Sequence, residues 1–83
     1  MVCQVEYAPR AVKDLQSLEI TIARRIVKKI NTYRDTGNPL KFAKQLKGDL
    51  GGAYRFRVGD YRVVFDIDQR DRMVILFVLR IGH

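Results

Sequence analysis

The residues of this chain best suited to chemistry are three arginines in one short segment, Tyr54-Arg55-Phe56-Arg57-Val58-Gly59-Asp60-Tyr61-Arg62. In an extended strand, residues two apart share a face and stand roughly 6 to 7 Å apart. Arg55 and Arg57 therefore fall on one side, with Tyr54, Phe56 and Val58 on the other. Gly59-Asp60 has the composition of a two-residue hairpin turn, which folds Arg62 back beside them, on the parity opposite Tyr61, Val63 and Phe65. Three guanidinium groups on one surface repel one another, and their planar forks of donors match phosphate oxygens, so an external anion accounts for the cluster. A solvated sheet face, or a charged edge that resists aggregation, produces the same pattern, and both readings stay open on the residues alone.

Other reactive arrangements are missing. The single histidine, His83, is the last residue, there is no Ser-His or Cys-His couple, no carboxylate cluster has metal-ligand spacing, and no GxxxxGK[ST] loop occurs. Nucleotide hydrolysis and metal chemistry lose support accordingly. Cys3 stands alone, so it forms neither an internal disulfide nor a cysteine zinc site, and in a predicted strand it reads as a small buried hydrophobe. Gly51-Gly52 precedes a strand rather than a helix and reads as a turn, not a phosphate cradle. Arg24-Arg25 and Lys28-Lys29 read as the wet side of an amphipathic helix that extends a basic surface.

The elements that must position the arginines follow from period and punctuation. Eighty-three residues support one domain, 1–83, with a single core. Sixteen Lys and Arg against nine Asp and Glu leave +7, a balance that expects a polyanionic partner, while 47% hydrophobic residues argue for a packed interior. Val2 to Tyr7 alternates as a half-buried strand. Pro9 suits the first position of a helix carrying Val12, Leu15 and Leu18, and Ile22, Ile26, Ile30 and Tyr33 recur along a second helix that Gly37 and Pro39 end. Residues 40–53 read as a connector. Tyr54–Val58 and Tyr61–Ile67 form a hairpin, and Met73–Ile81 is a nearly continuous apolar run, as in a central strand. The predicted fold is α+β: an N-terminal strand, a two-helix hairpin, then an antiparallel three-stranded meander, with both helices on one face of a four-stranded sheet. No segment approaches a membrane span or a signal peptide, and the expectation is a cytoplasmic domain in a reducing compartment.

Several segments together carry a resemblance. Leu46-Lys47-Gly48, Ala53-Tyr54-Arg55-Phe56-Arg57-Val58-Gly59-Asp60-Tyr61-Arg62-Val63-Val64-Phe65 and Val78-Leu79-Arg80-Ile81-Gly82-His83 resemble the RelE branch of the RelE/ParE toxin superfamily. Ala8 to Leu15 and Arg24 to Ile30 resemble that family's first two helices. The likeness spans the chain, and the hairpin is its most specific part.

The resemblance implies the toxin of a type II toxin–antitoxin pair, an endoribonuclease that enters the ribosomal A site and cuts messenger RNA. It further implies that the RNA 2′-hydroxyl attacks the neighbouring phosphorus with no metal and no cofactor. Carried over by position, Arg55, Arg57, Arg62 and His83 are the implied catalytic residues, while Lys41, Lys44, Lys47 and Arg80 are expected by their charge to bind RNA and the ribosome. The implied partners are a cognate RelB-like antitoxin and the 30S A site with its message and ribosomal RNA. Two departures stand out. Relatives with Lys at the first two positions can invoke an amine as base, whereas guanidinium does not release its proton at neutral pH, so the general base is open; Tyr61 falls with the core set. Relatives also continue beyond the position of His83 with a basic residue and a tyrosine, which implies weak or absent activity for an 83-residue form. An imidazole suits acid–base work, but a terminal one can equally be idle. Two alternatives share the fold: a ParE-type DNA gyrase inhibitor, whose branch generally lacks the arginine set, and a catalytically impaired RNA- or antitoxin-binding relative.

Overall fold

A computed structural model describes residues 4–46 and 52–82. Strand β1 (Gln4–Tyr7) alternates exposed Gln4 and Glu6 with half-buried Val5 and Tyr7. Pro9 opens helix α1 (Pro9–Gln16), where its missing N–H has no intrahelical partner to lose. Helix α2 (Ile20–Asp35) turns fully buried Ile26 and Ile30 inward, and Gly37 follows its end at φ 77°, the left-handed position where a side chain is strained. A 3₁₀ turn (Pro39–Phe42) leads into β2 (Lys44–Gln45), and β3 (Tyr54–Val58), β4 (Tyr61–Ile67) and β5 (Arg72–Arg80) follow. Among the described residues no helix is long and apolar enough to cross a membrane.

The sheet runs β1-β5-β4-β3-β2, with β1 parallel to β5 and the other pairs antiparallel. The predicted strand, helical hairpin and meander are all present. The difference is β2, which adds a fifth strand inside the segment read as a connector. Two residues are too short to show a period of two, and β2 exists because Lys44 and Gln45 pair with Arg55 and Tyr54.

One face of the sheet carries the core. Ala11, Ile26 and Ile30 pack with Phe56, Val63, Phe65, Met73 and Ile75. Where β1 ends, α1 takes over the edge of β5: Ala8 donates its N–H to the Ile75 carbonyl at 2.8 Å, and the Val78 N–H donates to Asp14 Oδ2 at 2.9 Å. A bulge interrupts the β4–β5 ladder, because Val64 pairs with Phe77 and Phe65 with Ile75, leaving Leu76 extra. The bulge exchanges the faces of β5. Met73 and Ile75 point to the helices before it; Val78 does after it, and Phe77 and Leu79 lie on the opposite face.

Candidate active site

At its hairpin end, the sheet face away from the helices carries four basic residues in two rows set by the register. Lys44, Arg55, Val64 and Phe77 stand side by side across β2, β3, β4 and β5. Arg57, Arg62 and Leu79 form the next row. The tight Gly59-Asp60 turn makes this possible: Gly59 takes φ 57°, Val58 pairs with Tyr61, and Arg57 is thereby set directly opposite Arg62. Val64 is 1% exposed although it lies on the open face. Its row neighbours are Arg55 and Phe77, and the Arg10 guanidinium lies over the Phe77 ring at 4.5 Å. The aliphatic stems of such side chains cover apolar surface while their charged heads stay in water.

A hollow of about 270 Å³ opens at this corner, lined by Phe42, Lys44, Arg55, Phe56, Arg57, Arg62 and Ile81. Among the described lining residues four are cationic and none is acidic. Arg57 is pinned by its Nε, which donates to the Gly59 carbonyl at 2.7 Å, and its terminal nitrogen lies 4.0 Å from Asp60 Oδ1. No ion pair among the described residues joins Arg55 or Arg62 to a carboxylate. Asp68, one of the nearby acids in the sequence, is committed elsewhere, to Arg72. A larger hollow of about 500 Å³ along the outer side of α2 contains Arg24 and Lys28 but also Asp35, and so lacks this concentration of one sign.

The structure thus brings together Arg55, Arg57, Arg62 and Lys44. Lys41 is exposed on the 3₁₀ turn and does not line the hollow. Arg80 pairs with Tyr61, which packs against the core, so Arg80 belongs to the helix side of the sheet and not to the arginine face. Lys47, His83 and Cys3 lie outside the described residues, as does Gly51; Gly52 is at φ 93°, consistent with a turn. Two lining residues, Phe42 and Ile81, carry no sequence signal for the site, since an isolated apolar residue in a connector and one at the end of an apolar run look like ordinary packing.

Residues 5–83 match the family model described as the ParE toxin of the type II toxin–antitoxin system parDE. A curated relative, Toxin RelE of Mycobacterium tuberculosis, is 38% identical over 71 residues, which cover 84% of this chain and 72% of the relative. The chain belongs to the RelE/ParE superfamily of type II toxins. The fold of this RelE/ParE toxin agrees. It superposes on a chain of the RelBE2 toxin–antitoxin complex of M. tuberculosis with a TM-score of 0.81 and 29% identity, covering 93% of this chain and 95% of that one. It also matches a chain of the archaeal RelE–RelB complex of Pyrococcus horikoshii with a TM-score of 0.73 and 31% identity, over 100% and 99% of the two chains.

Proposed function

We propose that this toxin is a messenger-RNA endoribonuclease that acts in the ribosomal A site, using the arginine face as its phosphate site. The observation that carries the reading is the placement of Arg57 opposite Arg62, with Arg55 and Lys44 in the same hollow and no acid among its described lining residues. Cleavage by an RNA 2′-hydroxyl needs the attacking oxygen, phosphorus and leaving oxygen held in line, and it builds negative charge on the phosphoryl oxygens in the transition state. Guanidinium groups from two strands meet that charge with fixed donors. They cannot take the 2′-hydroxyl proton at neutral pH, so their role is positioning and charge stabilisation. The general base is open, and His83 is the candidate for proton handling that the family resemblance implies. The similarity to Toxin RelE supports choosing the RelE branch. The proposed partners are the ribosome with its bound message and, because related chains are described in RelE–RelB complexes, a RelB-like antitoxin.

The test is cleavage mapping in a translating extract. Cuts confined to the A-site codon are expected with the unmodified chain. Arg62→Ala should lose them by roughly 10² to 10³-fold, the usual effect of removing one fixed donor to a transition-state oxyanion, and unchanged cleavage by the variant would remove the assignment. The matched family model carries the ParE description, which keeps gyrase inhibition as a second reading; loss of DNA supercoiling with no A-site cuts would select it.

A further inference from the structure

Phe42 is the one aromatic side chain among the large, exposed hydrophobic residues described, at 41% exposed. Its position is not that of a stray surface residue, because it lines the same hollow as Lys44, Arg55, Arg57 and Arg62. Nor is the ring loose. It stacks parallel to Tyr33, with centroids 4.4 Å apart and an interplanar angle of 3°. Tyr33 in turn meets Phe56 edge-on at 4.9 Å and 80°, and Phe56 is 5% exposed within the core. One face of Phe42 is therefore backed by a column of rings anchored in the interior, while the rest of the residue is open beside four cations.

An open aromatic face next to a cluster of phosphate-binding donors is the combination by which proteins hold unpaired nucleotides: cations take the backbone and a ring takes a base. A ring already fixed by stacking loses little freedom when a base settles on it, so affinity is gained at low entropic cost. We propose that Phe42, backed by Tyr33, is a base-stacking platform, so that the hollow holds a single-stranded ribonucleotide by phosphate and base together. The inference rests on the ribonuclease reading and adds to it a positioning contact that is independent of base identity, since every base presents a π face. In that role Phe42 sets where the strand lies relative to Arg57 and Arg62, without touching the reacting atoms.

The test uses the full chain and two uncleavable probes: a short 2′-O-methyl oligoribonucleotide and the same backbone without bases, each titrated by fluorescence anisotropy. Phe42→Leu keeps an apolar side chain against Tyr33 but removes the π face; Phe42→Trp restores one. The expected result is that Phe42→Leu weakens binding of the intact oligonucleotide roughly tenfold or more, on the scale of one lost base–aromatic stack. Binding of the base-free backbone should be unchanged, which also shows that the site remains folded, and Phe42→Trp should recover affinity for the intact strand. If Phe42→Leu binds both probes as the unmodified chain does, while Arg62→Ala loses both, stacking is overturned and the phosphate site stands. If the unmodified chain binds neither probe, the RNA reading fails with it.

Discussion

Arg57 and Arg62 face each other directly across β3 and β4, a pairing of two like charges that a sheet ordinarily avoids. Directly opposed like charges destabilise a strand pair by some tenths of a kcal/mol up to about 1 kcal/mol. The isolated protein is thus held slightly below its attainable stability by the pair proposed as its phosphate site. Arg62→Ala should leave the fold intact and raise the stability of the anion-free protein by about 0.5 kcal/mol, while removing activity. Chemical denaturation of the two proteins at low salt checks it, and a destabilised variant would show that Arg62 instead has a packing role.

The same opposition predicts an anion response. A multivalent anion that sits between the guanidinium groups binds the folded chain alone and stabilises it by roughly 2.7 kcal/mol at a hundredfold excess over its dissociation constant. Pyrophosphate should raise the thermal midpoint of the unmodified chain by several degrees more than chloride of equal ionic strength. Arg62→Ala should show no such difference. An equal rise in both proteins would mean that the anion acts elsewhere on the +7 surface.

Much of this site is legible in the residue order, and the parts that are not have identifiable causes. Alternation alone places Arg55, Arg57 and Arg62 on one face, because the Gly59-Asp60 turn fixes the register of the hairpin. Arg80 shows where the same reasoning stops. Counted through an unbroken strand it falls on the face opposite Met73 and Ile75, with the arginines, but the bulge at Leu76 carries it to the helix side. Residues 74–79 are all apolar, so nothing in them marks where the faces exchange. Lys44 is a candidate by charge, yet its partnership with Arg55 depends on a two-residue strand that has no sequence period. Phe42 needs Tyr33, nine positions earlier and on a different element, before its exposure means anything.

Asp14 ties α1 to the part of β5 that β1 does not cover, through the 2.9 Å bond from the Val78 N–H to its Oδ2. Asp14→Ala leaves that partly buried N–H without its acceptor, at a cost of about 1 to 3 kcal/mol. Asp14→Asn retains an acceptor oxygen and should lose less. Urea unfolding of the three proteins gives the order, and faster amide exchange at Val78 in the alanine variant locates the effect.

Tyr7 presents the reverse case. Its hydroxyl is buried and meets no hydrogen-bond partner among the described residues. Burial pushes the phenol above its ordinary pKa, against the opposing pull of the Arg34 charge. A buried polar atom without a partner costs free energy that its removal returns. Tyr7→Phe should therefore stabilise the toxin by about 1 kcal/mol, or roughly 4 to 8 °C in a domain of this size. A lowered midpoint would show that the hydroxyl is satisfied in solution.

At the end of the sheet away from the arginine hairpin, Asp68 accepts the backbone N–H groups of Arg70 and Arg72 at 2.9 Å, and Arg72 Nε donates to its other oxygen at 2.7 Å. Arg72 continues to Glu6 at 2.6 Å, so the β4–β5 turn is joined to β1. The Arg72 N–H is the main cause of an Asp68 carboxyl held below the ordinary aspartate value, with the Arg72 side chain and the Arg70 N–H adding to it and partial desolvation opposing it. A carboxyl lowered on folding contributes stability that is complete above the ordinary value and lost as pH falls through the lowered one. The unmodified chain should thus be more stable than Asp68→Asn at neutral pH. The gap between their thermal midpoints should close once the pH drops below the ordinary aspartate range. Midpoints measured from pH 7 to pH 2 decide it: a gap that stays constant with pH would mean that geometry rather than charge makes Asp68 the anchor of this turn.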